Sequence, residues 1–238
     1  MFNKIIACTL AVVCLAVGAA RADEADIKKA VTALYGSNAK VSSVRKAEAL
    51  GLYEVQIGSE IIYADEKGSY FIQGDIIDVK AHINLTDARR NKLAQIKFSE
   101  LPLELAVKTV RGNGKRVFAT FEDPNCGYCK KLAKELVGMT DFTMYTFMIP
   151  ILSADSGEKS KAIWCAADRS KSWSDWMVNG VEPQAANCAT PVDKVLALSQ
   201  KLNVRGTPAI FFSNGERIPG FVPAAKLDQE LSRIAALK

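Results

Sequence analysis

The sequence contains a single histidine, His82, and it has no block of basic residues, no low-complexity segment and no internal repeat. A structural zinc site needs four nitrogen or sulfur ligands, and this chain offers few candidates for such a set. The formal net charge of +5 is mild, so we expect no nucleic-acid partner. Only one apolar run, residues 5–20, approaches the length of a membrane span, and no other run is long enough to cross a membrane.

This apolar run has the layout of a cleavable secretory signal peptide. Lys4 precedes it, and a small-x-small pattern ends it at Ala22, before an acidic and polar stretch. An uncleaved transmembrane anchor is the alternative, but the shortness of the run and the cleavage pattern disfavour it. We therefore expect a signal peptide at residues 1–22 and an exported mature protein.

Cleavage would leave four of the six cysteines: Cys126, Cys129, Cys165 and Cys188. An even number of cysteines in an exported protein indicates disulfides, because such compartments are oxidising. Cys126 and Cys129 are close enough in sequence to pair within their own motif, which leaves Cys165 to pair with Cys188. We expect that second pair to be a structural disulfide worth roughly 3 kcal/mol in the chain-entropy treatment. A second redox-active pair is the alternative.

The chain divides by pattern into an amino-terminal part and a carboxyl-terminal part. Residues 23–82 combine a helix with short strands in an α+β arrangement whose core is thin, so we expect this segment to be a dimerisation domain. Residues 83–100 resemble a linker helix that Thr86 or Asp87 could cap. Residues 101–238 show the order strand, CxxC, helix, strand, helical insertion, hairpin and helix, which predicts a thioredoxin-like α/β catalytic domain.

The motif Cys126-Gly127-Tyr128-Cys129 lies between a predicted buried strand and a predicted helix. A CxxC at a helix start places two sulfurs one turn apart, and the free N–H groups there favour the thiolate of Cys126. Because the thiolate is the attacking species in exchange, we expect Cys126 to attack and Cys129 to resolve the mixed disulfide. The alternatives are a zinc site, disfavoured by ligand count, and a structural disulfide, whose short loop would remove little chain entropy.

A second segment, Thr207-Pro208, supports the redox interpretation. Pro208 precedes a predicted strand, where a proline has no N–H to give to the ladder. A cis bond would make a tight turn able to face the CxxC, whereas an ordinary trans turn is the alternative. We expect the cis form, and we expect Thr207 and Pro208 to bind substrate together with Gly127 and Tyr128, which line the exposed surface of the motif.

Together, the CGYC motif, the distant Thr207-Pro208, the pair Cys165/Cys188 and the small amino-terminal domain resemble thiol:disulfide interchange proteins of the DsbC/DsbG type. Gly127 resembles the DsbC branch, since the DsbG branch typically has proline there. The resemblance implies a V-shaped periplasmic homodimer whose amino-terminal domains form the interface and whose active sites face an apolar cleft. It also implies a membrane reductase of the DsbD type that keeps the CxxC reduced. We expect no metal and no other cofactor.

Two acids, Glu122 and Asp123, precede the motif and could modulate proton transfer, but we favour a polar loop that caps the helix. Thioredoxins often have a buried acid six residues before the first cysteine. This chain has Thr120 at that position, so the resemblance does not identify a proton acceptor for Cys129.

The leading hypothesis is a disulfide isomerase and reductase that acts on misfolded exported proteins through a mixed disulfide at Cys126. A second hypothesis is a chaperone or holdase dimer whose redox pair is secondary. A third is a dithiol oxidase, which would be found mainly with its CGYC oxidised.

Overall fold

The computed structural model describes residues 19–237 and divides the chain into two compact units, Met1–Arg90 and Asn91–Lys238. Most of the predicted signal peptide, residues 1–22, therefore lies outside the described residues. Between residues 19 and 237, no helix has both the length and the apolar character needed to cross a membrane.

The first unit packs helix α1 (Ala19–Tyr35) on an antiparallel sheet of order β1-β2-β3-β4. The strands are β1 (Val41–Lys46), β2 (Tyr53–Ile57), β3 (Glu60–Ala64) and β4 (Phe71–Ile72). Ile27 and Val31 of α1 are fully buried in a cluster of only six buried apolar residues, whereas Leu34 is exposed. The core of this unit is thus small.

A two-stranded sheet of β5 (Ile77–Asp78) and β6 (Ile83–Asn84) leads directly into helix α2 (Leu85–Leu93). The Oδ1 atom of Asn84 accepts a hydrogen bond from the backbone N–H of Asp87 at 2.9 Å, so Asn84 caps this helix. The prediction that Thr86 or Asp87 would be the cap was wrong. Thr86 is buried, and its hydroxyl lies 2.6 Å from the hydroxyl of Tyr63.

The second unit is built on a five-stranded sheet of order β11-β10-β8-β9-β7. The strands are β7 (Val107–Arg111), β8 (Arg116–Glu122), β9 (Phe142–Met148), β10 (Ala209–Phe212) and β11 (Arg217–Ile218). Strands β8 and β9 are parallel, and the other neighbouring pairs are antiparallel. The parallel pair requires a crossover helix, and the helix that begins with the CxxC provides it.

Helices cover both faces of this sheet. They are α3 (Gly127–Glu135), α4 (Ala154–Cys165), α5 (Arg169–Ser174), α6 (Val192–Lys201) and α7 (Ala224–Ala235), with a π-helical turn at Asp175–Asn179. Three 3-10 turns complete the unit, at Phe98–Glu100, Leu103–Leu105 and Leu136–Gly138. The predicted helical insertion corresponds to α4, α5 and the π-helical turn.

Side chains of β8 alternate between two apolar cores. Phe118 packs in the cluster that contains Leu132 of α3 and Leu231 of α7, whereas Phe121 packs in the cluster that contains Val195 of α6. Because side chains along a strand point alternately to opposite faces, residues 118, 120 and 122 share the face on which α3 lies.

Candidate active site

Cys126 is the residue that caps α3. Its backbone is extended (φ −72°, ψ 118°), and its sulfur accepts a hydrogen bond from the backbone N–H of Cys129 at 3.2 Å. The Cys126 thiol in turn donates to the carbonyl oxygen of Thr207 at 3.3 Å. Both cysteines are free thiols; Cys126 is 4% exposed and Cys129 is 0% exposed. The Cys126 sulfur therefore lies at the helix start and accepts an N–H there, whereas the Cys129 sulfur lies one turn deeper.

The segment at Thr207 approaches the motif from the other side of the site. The Thr207–Pro208 peptide bond is cis, and β10 begins at the next residue, Ala209. Topology places this turn beside the motif, because β10 pairs with β8, the strand that leads into the CxxC. The Thr207 carbonyl is consequently in direct contact with the Cys126 sulfur.

Asp123 fixes the loop between β8 and α3. Its side chain is buried and accepts hydrogen bonds at 2.7–2.9 Å from four donors: the backbone N–H groups of Asn125, Ile151 and Leu152, and the hydroxyl of Ser156. The favoured interpretation of this loop as a helix cap was wrong, because Cys126 supplies the cap. Asp123 instead ties the loop to the segment that follows β9.

Trp176 connects the inserted helices to the same loop. Its indole Nε1–H donates to the carbonyl oxygen of Pro124 at 2.6 Å. Two ammonium groups lie over its ring, Lys130 Nζ at 3.9 Å and Lys159 Nζ at 4.7 Å from the centroid. The Lys130 contact holds the insertion against the start of α3 and places positive charge just after the motif, whereas the Lys159 contact lies within the insertion.

The outer edge of the site is open and partly apolar. Tyr128 is 64% exposed, with its ring centroid 6.1 Å from that of Phe221. Gly127 is exposed and has open space where a side chain would stand. Ile151 and Leu152, whose N–H groups bond to Asp123, also expose their side chains. A polypeptide that approaches Cys126 would meet this edge first.

Glu122, predicted to belong to a polar loop, is the last residue of β8. Its side chain is buried, and its Oε2 atom has no hydrogen-bond partner. Burial raises the pKa of this carboxyl to about 7, although interactions with Thr120 and Cys129 act in the opposite direction. The signal available in the sequence was its spacing from Phe118, which puts Glu122 on the buried face of β8.

The Cys129 thiol is held in its protonated form. Burial raises its pKa, and the negative charge of Glu122 and the neighbouring Cys126 raise it further. The two cysteines thus have different surroundings: the Cys126 sulfur accepts the N–H of Cys129 at the helix start, whereas at Cys129 burial and Glu122 outweigh the opposing backbone hydrogen bond of Asp123.

The other two cysteines form a disulfide within the inserted region. Cys165, the last residue of α4, is bonded to Cys188, with a Cα–Cα distance of 5.7 Å and a sequence separation of 23. This bond connects α4 to the irregular segment that precedes α6. His82 lies in the first unit, between β5 and β6. Among residues 19–237, no group of three or more potential metal-ligating side chains was found.

Comparison with known proteins gives related sequences over most of the chain. The chain is 51% identical over 191 residues to the probable thiol:disulfide interchange protein DsbC of Bordetella pertussis, and the match covers 80% of this chain and 68% of the relative. It is 32% identical over 221 residues to DsbC of Escherichia coli K12, covering 90% and 89%. The crystal structure of a disulfide interchange protein from Neisseria gonorrhoeae has a TM-score of 0.55 and 40% identity, covering 56% of this chain and 97% of that one.

The sheet, the CxxC at the start of α3 and the cis-proline turn define a thiol–disulfide oxidoreductase with a thioredoxin-like fold. Residues 103–235 match the thioredoxin-like domain family, and residues 18–87 match the N-terminal domain of disulfide bond isomerase proteins. The chain belongs to the DsbC family of thiol:disulfide interchange proteins. This confirms the family and the fold class that the sequence analysis predicted.

Proposed function

We propose that this protein is a periplasmic disulfide isomerase and reductase that acts on misfolded exported proteins. The observation that carries the proposal is the unequal environment of the two free thiols. Cys126 receives an N–H hydrogen bond at the start of α3, next to an open edge, whereas Cys129 is fully buried beside Glu122. This arrangement suits an attacking cysteine and a resolving cysteine.

The reaction begins when the Cys126 thiolate attacks one sulfur of a client disulfide. A Cys126–client disulfide forms, the client bond breaks, and the second client sulfur leaves as a thiolate. In isomerisation, a client thiolate then attacks the mixed disulfide and releases Cys126, with no net oxidation or reduction. In reduction, Cys129 attacks Cys126, the client leaves with two thiols, and the CGYC is left oxidised.

Four residues are proposed to contact the client next to the reacting sulfur: Gly127, Tyr128, Thr207 and Pro208. Gly127 and Tyr128 support this because they are exposed at the open edge, and Thr207 because its carbonyl contacts the Cys126 sulfur. The structural role of the Cys165–Cys188 bond is supported by its position within the insertion, where it connects α4 to the segment before α6, and by the free state of the other two cysteines.

The domain assignment that accompanies this function is residues 23–82 for dimerisation, residues 83–100 for the linker and residues 101–238 for catalysis. A homodimer is supported by the match to the family's N-terminal domain and by the small core of the first unit. Large apolar side chains of that unit are also exposed: Leu50, Tyr70, Ile72, Ile77 and Val79. A monomeric mass for the purified mature protein in solution would contradict the dimer.

The cellular context is proposed from the family. The DsbC relatives and the apolar amino-terminal run support export to the periplasm. Return of the oxidised CGYC to its dithiol form requires two electrons, for which we propose a DsbD-type membrane reductase. Acid trapping and alkylation of the periplasmic protein should find the CGYC mostly reduced. A mostly oxidised pair would favour the dithiol oxidase instead.

The isomerase activity is tested with scrambled, fully oxidised ribonuclease. Wild-type protein should restore ribonuclease activity, and Cys126→Ala should not, because the attacking sulfur is missing. Equal recovery with Cys126→Ala would contradict the mechanism. If this variant still suppressed aggregation of a cysteine-free client, that result would support the chaperone as a second activity.

A further inference from the structure

Glu122 is a buried carboxylic acid that the steps described so far do not use. The residue is 1% exposed, its Oε2 atom lacks a hydrogen-bond partner, and its pKa is raised to about 7 by burial. A buried carboxyl oxygen without a hydrogen-bond partner is costly to folding and calls for an explanation. Its position at the end of β8, four residues before Cys126, places it at the base of the CxxC.

The residues around the Glu122 carboxyl show which group it can exchange a proton with. The residues that interact with it are Thr120, on the same face of β8, and Cys129. The Thr120 hydroxyl also donates to the Thr146 hydroxyl at 3.3 Å. The neighbouring acid Asp123 has its carboxylate occupied by the donors of its loop. Glu122 therefore interacts with Cys129 through a carboxyl group that has one oxygen free to accept a proton.

Resolution of the mixed disulfide requires Cys129 to lose its proton. This thiol is 0% exposed, and its buried position together with the Glu122 charge keeps it protonated at neutral pH. Solvent has no direct access to a fully buried sulfur, so a base inside the protein is needed when the thiol attacks. The Glu122 carboxyl is buried at the base of the same motif, interacts with this thiol and binds a proton near physiological pH, so it meets these requirements.

We propose that Glu122 is the catalytic base for Cys129, an inference that rests on the proposed function. The Glu122 carboxylate takes the proton of the Cys129 thiol, and the resulting thiolate attacks the Cys126 sulfur of the mixed disulfide. The Cys126–Cys129 bond forms, and the client sulfur leaves as a thiolate that takes a proton from water. When a reductant dithiol later breaks the Cys126–Cys129 bond, the Glu122 carboxylic acid returns its proton to Cys129.

The test separates the two cysteines by means of 5,5′-dithiobis(2-nitrobenzoate) as the disulfide substrate. Reduced protein releases one thionitrobenzoate when Cys126 attacks and a second when Cys129 attacks the mixed disulfide, so the two steps are two phases of absorbance. In Glu122→Gln, which keeps the side-chain size, the first phase should be unchanged. The second phase should slow by about 10²-fold or more at neutral pH.

The pH profile distinguishes a base from a structural residue. The wild-type second phase should rise with pH and level off above about 7, the pKa of the carboxyl. In Glu122→Gln it should continue to rise about tenfold per pH unit, since hydroxide replaces the missing base. Glu122→Asp should restore part of the rate and the levelling-off. This variant also provides the test if Glu122→Gln fails to fold.

The matched control is Glu158→Gln, which makes the same carboxyl-to-amide change at an exposed position on α4. Both of its phases should equal those of wild type. A second phase in Glu122→Gln with wild-type rate and pH profile would overturn the proposal, and so would an equal slowing of both phases. Failure of the proposed function would look different, because Cys126→Ala would then retain ribonuclease isomerisation whatever the result at Glu122.

Discussion

The buried carboxyl of Glu122 predicts an unusual pH dependence of stability. Its pKa is about 7 in the folded protein, against an ordinary value of 4.5. The folded state therefore holds this proton more tightly than the unfolded state. Its contribution to stability is fully present below pH 4.5 and is lost as the pH rises through 7. At 1.36 kcal/mol per pKa unit, the loss amounts to about 3 kcal/mol.

Glu122→Gln isolates this contribution, because the amide does not titrate and the other ionisable groups are the same in both proteins. We expect the free energy of unfolding of wild type, relative to that of the variant, to fall by about 3 kcal/mol between pH 4.5 and 7.5. The three tryptophans, Trp164, Trp173 and Trp176, all lie in the second unit. Tryptophan fluorescence during urea unfolding of the CGYC-reduced proteins therefore reports the unit that contains Glu122. A difference that stays constant across this pH range would refute the reasoning, because it would mean that the carboxyl titrates alike in both states.

Two further predictions concern the frame of the site. Asp123→Ala removes the acceptor of four hydrogen bonds, so it should lower the stability of the second unit by roughly 2–4 kcal/mol in the same urea assay. The control Asp193→Ala, at an exposed position on α6, should change the stability little. Equal stabilities of the two variants would contradict the role of Asp123. Replacing both Cys165 and Cys188 by alanine should lower stability by roughly 3 kcal/mol and leave the amount of thionitrobenzoate released unchanged, because these two sulfurs are bonded to each other and only Cys126 and Cys129 are free thiols. A change in the amount released would show that the bond takes part in exchange.

The sequence was informative wherever a local pattern determines the structure. The CxxC spacing placed Cys126 at a helix start and Cys129 one turn deeper, since these positions follow from helix geometry. The helical spacing of Ile27, Val31 and Leu34 predicts an apolar stripe on α1, and the structure buries Ile27 and Val31 but leaves Leu34 exposed. The core of the first unit is small, and the first two turns of the stripe are enough to fill it.

The acids before the motif could not be assigned from sequence, because their roles depend on distant segments. Asp123 is satisfied by N–H groups that follow β9, roughly thirty residues further along the chain. Strand alternation would have placed Glu122 on the face of Phe118. No local pattern, however, shows that the carboxyl lacks a hydrogen-bond partner or that Cys129 lies next to it. Both facts arise only when α3 folds back over the end of β8.

The central chemical step is the formation of a mixed disulfide between Cys126 and client proteins in the cell. Cys129→Ser keeps the attacking sulfur but removes the resolving one, so mixed disulfides should accumulate. Periplasmic extracts would be trapped in acid, alkylated and compared on non-reducing and reducing gels with an antibody to this protein. We predict several covalent complexes in Cys129→Ser that disappear on reduction and that are absent when Cys126 is also replaced by serine. No complexes in Cys129→Ser, or the same complexes without Cys126, would contradict the account.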